Sequence, residues 1–238
     1  MVLAETGSRQ EPVKRMTLHT HEKSAEKLQK VVDFYLLAKS VVLSEGFADE
    51  LKWQNRLQFS GVGESVFLRE AAWVVLSSGM RETVVRSKFQ SFSDAFYNWF
   101  SARRIRTNAH QCRRSALRIF GHARKIDSII EISRSVDTNG FDFIKDKIQT
   151  EGVLFLQSLP YVGPTTCYHL AKNLGLDVVK PDRHLLRISA LMGYANPAEF
   201  CETIANSVGD RVSVVDLVVW RYATLNPGYR NFVTRFID

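Results

Sequence analysis

The sequence predicts an all-α protein. Apolar residues recur at helical spacing through most of the 238 residues, and no stretch shows the strict alternation of a half-buried strand. A hydrophobic content of 45% over this length is enough to fill one large core or two lobes packed against each other.

Taken in order, residues 1–22, with Glu11-Pro12 and a polar run to His21, read as a flexible arm without assigned fold. Over 25–43, Leu28, Val31, Val32, Tyr35 and Leu36 share one helical face. Helical spacing returns over 67–76, 92–100 and 116–132. Phe155, Leu156 and Leu159 form an apolar stripe that stops at Pro160, and 165–176 resumes it through Cys167, Leu170, Ala171 and Leu174. Gly175 ends that helix, 176–179 cross in an extended stretch, and Pro181-Asp182 opens another helix bearing His184, Leu185 and Ile188. The run 210–221 reads as a core helix with Asp210 as its cap and Asp216 partly buried. Neither an internal repeat nor a low-complexity linker is present.

The formal net charge of +7 favours an acidic partner, most simply nucleic acid. The excess is also local: Arg103, Arg104, Arg106, Arg113, Arg114, Arg118, Arg124 and Lys125 follow one another without an intervening acid. Such a run is either a solvated helix face or a phosphate-binding one, and Leu117, Ile119 and Phe120 give it a core side as well. Cys112, Cys167 and Cys201 are widely spaced, which argues against disulfides and zinc, so no cofactor is expected. No secretory or long apolar segment is evident, and the expected location is the cytoplasm, or the nucleoid in a bacterium, with no membrane partner.

Two motifs carry the chemistry. In Leu159-Pro160-Tyr161-Val162-Gly163-Pro164-Thr165-Thr166-Cys167 a short turn joins two helices: Gly163 permits the tight path, Pro164 suits a first helical turn, and Thr165 or Thr166 can cap it. Free amides at such a helix start suit a backbone phosphate, which positions DNA without reading its sequence. By itself the turn is equally a plain helix–helix connection, and Asp182 equally a plain N-cap. What distinguishes them is their occurrence together, with Lys180-Pro181-Asp182-Arg183-His184-Leu185-Leu186-Arg187 following the hairpin by one short helix.

This combination resembles the helix-hairpin-helix superfamily of DNA glycosylases, in the monofunctional, alkylpurine-glycosylase-like branch. The family pattern is a Leu-Pro-Gly-x-Gly-x-Lys-Thr-Ala hairpin followed, after a helix, by Val-Asp-x-His-x-x-Arg. The resemblance implies that Asp182 is the catalytic Asp, with His184 and Arg187 also matching, and that Tyr161, Val162, Gly163, Thr165, Thr166 and His184 contact DNA. Tyr161 stands where the family has its first hairpin glycine. Thr165 stands where bifunctional members carry the Lys that forms a Schiff base, so an abasic site and no strand cleavage is expected. The four-cysteine loop of the endonuclease III branch is missing, which implies no iron–sulfur cluster.

A second, weaker likeness runs from Glu70 to Thr83. It suggests a helix whose following turn faces the minor groove, with Met80 and Arg81 as the wedge that fills the gap left by an extruded base. An ordinary helix end with Arg81 in solvent is the alternative. Arg113 and Arg114 are further DNA-binding candidates. Trp73, Asp216 and Trp220 are candidates for the base pocket, with core packing the competing role for each; Trp53 and Trp99 are open to the same two readings.

The implied architecture is two-lobed, with residues 23–83 and 198–238 in one lobe and 84–197 in the hairpin lobe that carries Asp182. The implied partner is double-stranded DNA with an extruded base, bound by a monomer. Alkylated purine is the default substrate, because a cationic base leaves its sugar readily; a modified pyrimidine such as the decorated cytosines of phage DNA is the second. A non-catalytic helix-hairpin-helix DNA-binding protein is the alternative, and a helical protein-interaction domain the third class.

Overall fold

The structure, a computed structural model, describes the backbone of residues 11–237 and the side chains of residues 24–237. Among these the chain is helical throughout, and no strand occurs. In chain order, α1 (Glu11–Ser44) and α2 (Ala48–Arg56) precede α3 (Glu64–Ser77), α4 (Glu82–Ala95), α5 (Ala102–Thr107), α6 (Ala109–Ile119) and α7 (Ala123–Asn139). They are followed by α8 (Phe141–Glu151), α9 (Val153–Ser158), α10 (Thr166–Asn173), α11 (Arg183–Leu191), α12 (Pro197–Val208), α13 (Val212–Leu225) and α14 (Tyr229–Ile237). No helix among the described residues is long and apolar enough to cross a membrane.

Two apolar cores organise these helices. One is built around α3, where Phe67, Leu68, Ala71, Val74 and Val75 are buried among the helices from α4 to α10. The other is built around α13, whose Val214, Val215, Val218 and Val219 pack with α1, α2, α11, α12 and α14. The boundaries differ from those expected. α3 belongs with the hairpin, because its apolar face meets α7 and α10, whereas α11 belongs with the chain termini, because Leu185 and Ile188 join the α13 core. Asp182 therefore opens a helix of the terminal lobe, not of the hairpin lobe.

Several local expectations are also corrected. α1 begins at Glu11, so 11–22 of the expected arm are helical; residues 1–10 lie outside the described residues. The helix expected over 92–100 stops at Ala95, where Tyr97, Asn98 and Trp99 take positive φ values and Trp99 turns inward to stack on Phe96. The helix expected over 116–132 is two: Phe120 turns into the core after α6, and His122 caps α7 by accepting from the Lys125 N–H. Asp210 does not cap α13 but accepts from Tyr35 and Lys39; Asp177 supplies the cap, accepting from the Ser213 N–H at 2.8 Å.

The chain passes between the lobes at 57–59 and again at 175–179, and both crossings are clamped at one junction. Arg211 donates from Nη1 to the carbonyls of Gln54 (3.2 Å) and Leu57 (2.6 Å) and from Nη2 to that of Gly175 (3.0 Å). Gly175, at φ +87°, lies so close to the other crossing that a Cβ there would sit 2.9 Å from the amide nitrogens of Gln58 and Phe59. Beneath them Lys172 of α10 forms a buried ion pair with Asp216 of α13, and Gln54 donates to the Lys172 carbonyl at 3.2 Å. The second Asp216 oxygen accepts from the Lys180 N–H at 2.5 Å.

Removing one partner of a buried pair leaves an uncompensated charge, whereas replacing both with apolar side chains does not. Asp216→Ala should therefore cost about 3–5 kcal/mol in urea unfolding. The double replacement Lys172→Met/Asp216→Leu should recover most of that loss; a double variant no more stable than Asp216→Ala would show that the Lys180 amide contact, rather than the charge pair, dominates.

Candidate nucleic-acid interface and active site

The hairpin is built by two unusual backbone choices. Tyr161 takes the left-handed conformation (φ 66°), at the position where a glycine would be free to do so. Gly163 is not at positive φ, and a Cβ there would make only ordinary contact with Thr166, so the expected conformational demand falls on Tyr161 instead. The expected side-chain cap from Thr165 is absent. Thr166 Oγ1 reaches back to accept from the Gly163 N–H at 2.6 Å, and the Gly163 carbonyl accepts from the Cys167 N–H at 3.0 Å. With Pro164 lacking a donor, the Thr165 and Thr166 N–H groups are left without a partner among the described residues and face the open end of α10.

The turn after α3 lies against this hairpin. Ser78 and residues 161–166 line one groove of about 470 Å³. The link is Lys125, almost fully buried on α7, whose ammonium donates to the carbonyls of Leu76 and Ser78, both at 2.6 Å. It thereby fixes the end of α3 and sits 5.7 Å from the centre of the Tyr161 ring, which also packs edge-on against His122. Burial holds the Lys125 ammonium below its usual pKa. Beyond Ser78, Gly79 takes φ +69°, Met80 is 40% exposed, and Arg81 is exposed with no ion pair among the described residues.

Across the junction, Asp182 is the N-cap of α11. Its Oδ1 accepts from the N–H groups of His184 (2.8 Å) and Leu185 (3.1 Å), while Oδ2 has no partner among the described residues. The side chain is half-buried. Two residues earlier on the same extended segment, the half-buried Lys180 ammonium has no ion pair among the described residues. Its pKa is lowered first by burial and then by Lys172, against the pull of Asp182 and Asp216. His184 is also pushed down, first by burial and then by Arg183, Arg187 and Arg230, with Asp182 opposing. A neutral imidazole accepting at Nε2 from Arg183 (3.3 Å) and donating from Nδ1 to Tyr229 Oη (3.2 Å) satisfies both ring contacts.

The remaining predicted residues are placed elsewhere. Arg113 is held by Asp127 in a two-bond fork (2.6 and 3.2 Å), which leaves Arg114 as the exposed, unpaired member of that pair. Arg103 and Arg106 both meet Asp137, so part of the basic run is neutralised by acids that lie later in the chain. Trp73 packs edge-on against Phe89 of α4 (4.9 Å between ring centres), with Arg86 over its face. Trp220 packs against the α13 core beneath Arg221. Asp216 has both oxygens occupied in the junction, and burial raises its pKa against the opposing pull of Lys172. The hairpin and Ser78 are thus brought together, with residues 79–81 continuing the chain from that groove, whereas Trp73 and Trp220 belong to separate cores.

Sequence reading named Lys125 only as part of the basic run and Lys180 only as part of the second motif, and it missed His169, Lys172 and Arg230. A Lys on an apolar helical face, as Lys125 is next to Ile126 and one turn before Ile129, is the one available signal among them. Among the described residues no group of three or more His, Cys, Asp or Glu side chains is placed to hold a metal.

His169 yields a pH test. It retains some accessible area, yet protein surrounds its ring so densely, with Lys180 and Lys172 adding their charge, that its pKa falls to about 3. The unfolded imidazole titrates near 6.5. As pH falls from about 6.5 towards about 3, the unfolded chain therefore binds a proton that the folded one does not, and stability falls by up to about 1.4 kcal/mol per pH unit from this group. Urea unfolding of wild type and His169→Asn between pH 7 and 4 should give curves that converge as wild type loses stability faster; parallel curves would refute the buried neutral imidazole.

Comparison with protein-family models, with curated proteins and with solved structures finds no match to this chain, so its function has to be argued from the chemistry of these residues.

Proposed function

We propose that the chain is a monofunctional DNA glycosylase that extrudes a damaged or modified base and hydrolyses its N-glycosidic bond, leaving an abasic site. The observation that carries this reading is the carboxylate of Asp182, held by two amides at one oxygen and free at the other, across the lobe junction from a hairpin with open amides.

Breaking the bond builds positive charge on the sugar, as in glycoside hydrolysis. A carboxylate whose orientation is fixed beforehand stabilises that charge without reorganising, and its free oxygen can orient or deprotonate the attacking water. The position of Thr165 carries a hydroxyl and no amine, so no Schiff base forms there and water is the nucleophile. The hairpin amides of Thr165 and Thr166 would take a backbone phosphate, and Met80 or Arg81 on the adjoining turn would enter the gap left by the extruded base. A monomer suffices, because the motifs all lie on one chain.

An alkylated purine is the default substrate. Its base carries positive charge before bond cleavage, so a single carboxylate suffices without an acid to protonate the leaving group. A decorated cytosine is neutral and would demand more assistance.

The cap bonds of Asp182 are also what a purely structural Asp would make, which favours a non-catalytic DNA-binding module as the second reading. Asp182→Asn separates the two, since Asn caps a helix about as well as Asp but carries no charge. The variant should unfold with wild type, bind duplex DNA with similar affinity, and release bases from alkylated DNA at least about 100-fold more slowly. Base release by mass spectrometry, over alkylated, oxidised, deaminated and phage-modified DNA, is the readout. Near-wild-type release by the variant would remove the mechanism, and silence of wild type on every substrate with DNA still bound would favour the binding module.

A further inference from the structure

A second concavity, of about 490 Å³, opens between the first turns of α11 and α14, and it is lined by Arg183, His184, Arg187, Tyr229, Arg230 and Asn231, among others. No carboxylate lines it. None of its three arginines has an ion pair among the described residues, and here, unlike other unpaired arginines of the surface, three of them border one hollow. Three guanidinium groups around one hollow repel one another unless an anion is shared between them, and a planar fork of N–H donors suits phosphate oxygens.

The backbone contributes in the same sense. The N–H groups of Arg230 and Asn231, in the first turn of α14, have no partner among the described residues, and the positive end of that helix faces the hollow. His184 ties the two sides together through its contact with Tyr229 Oη at 3.2 Å. Burial is the main reason its pKa is lowered, and Arg183, Arg187 and Arg230 add to the lowering against the opposing pull of Asp182.

The hollow also adjoins Asp182, because the His184 amide that holds the Asp182 carboxylate belongs to a residue lining it. A group bound there would lie beside a sugar placed at Asp182. We infer that this hollow is a phosphodiester site that grips the substrate strand beside the reacting sugar and makes the C-terminal helix part of the DNA interface. The assignment of the strand rests on the glycosylase reading; the anion site itself does not.

The test uses the full chain and the double variant Arg187→Gln/Arg230→Gln, both positions being exposed so that folding is retained, as circular dichroism would verify. One arm measures anisotropy of a labelled duplex carrying a tetrahydrofuran abasic analogue over a range of salt. The variant should bind about tenfold more weakly at low salt, and its plot of log affinity against log salt should be shallower by about one. The other arm compares thermal unfolding in inorganic phosphate and in chloride of matched ionic strength, where wild type should gain more from phosphate than the variant does.

Equal behaviour of the two proteins in both arms would overturn the site. A phosphate response lost in the variant, with duplex affinity and salt slope unchanged, would overturn its assignment to DNA and leave a site for a free phosphate-bearing ligand. Failure of wild type to bind any duplex at low salt would sink the glycosylase reading and the strand assignment together, with the phosphate arm still deciding the anion site.

Discussion

The buried contact between Lys172 and Asp216 is the constraint on which the functional geometry depends. It joins α10, the second helix of the hairpin, to α13, the centre of the terminal lobe, at the level where the chain crosses between them. An ion pair removed from water is weak evidence for stability, because desolvation offsets most of the Coulombic gain. Its contribution here is register. The remaining Asp216 oxygen takes the Lys180 amide, and the Asp182 amide donates to the Lys180 carbonyl at 2.7 Å, so Asp182 is positioned through three residues of backbone from a point fixed on both lobes. Arg211 and the close approach at Gly175 prevent the crossings from sliding past each other.

The same arrangement separates Asp216 and Asp182 by role. Asp216 has both oxygens bound and a cation against it, so it has no lone pair to offer a substrate. Asp182 retains an oxygen without a partner among the described residues, and Lys180 lies near enough to interact with its charge. A carboxylate held at one oxygen and open at the other is aimed in advance, which is what electrostatic stabilisation of a cationic sugar requires. Of the nearby cations, Lys172 is held against Asp216 in the junction, whereas Arg183, Arg187 and Arg230 border the hollow between α11 and α14.

How much of this was legible in the sequence follows the range of each interaction. The hairpin and the helix opened by Asp182 were readable because turn residues and caps act within a few positions of themselves. Helical spacing found α3, α10 and α13 but could not see the break at Phe120, which depends on where its ring is buried, nor the three left-handed residues at 97–99, which depend on Trp99 packing against Phe96. Lobe membership was misjudged for α3 and α11 because an apolar stripe does not name its partner. The basic run from Arg103 to Lys125 looked like one cationic face, yet Asp127 and Asp137 neutralise part of it and Lys125 is interior. The unpaired arginines at 183, 187 and 230 were invisible as a group, since two lie on α11 and one more than forty residues later on α14.

Tyr161 shows where the fold accepts strain. A non-glycine residue in the left-handed region costs on the order of 1–2 kcal/mol and persists only where its surroundings over-determine it. Here the surroundings are His122, edge-on to the ring, and Lys125, an ammonium whose burial carries its own cost and which is tethered by two carbonyls at the end of α3. A glycine would remove the strain and with it the ring that meets that ammonium. The two costs fall on the same few residues, between the open amides of α10 and the turn bearing Met80 and Arg81. Strain and a buried charge at a surface groove contribute nothing to packing the core; what they achieve is a fixed spacing between hairpin and turn, which a rigid ligand bridging the two would require.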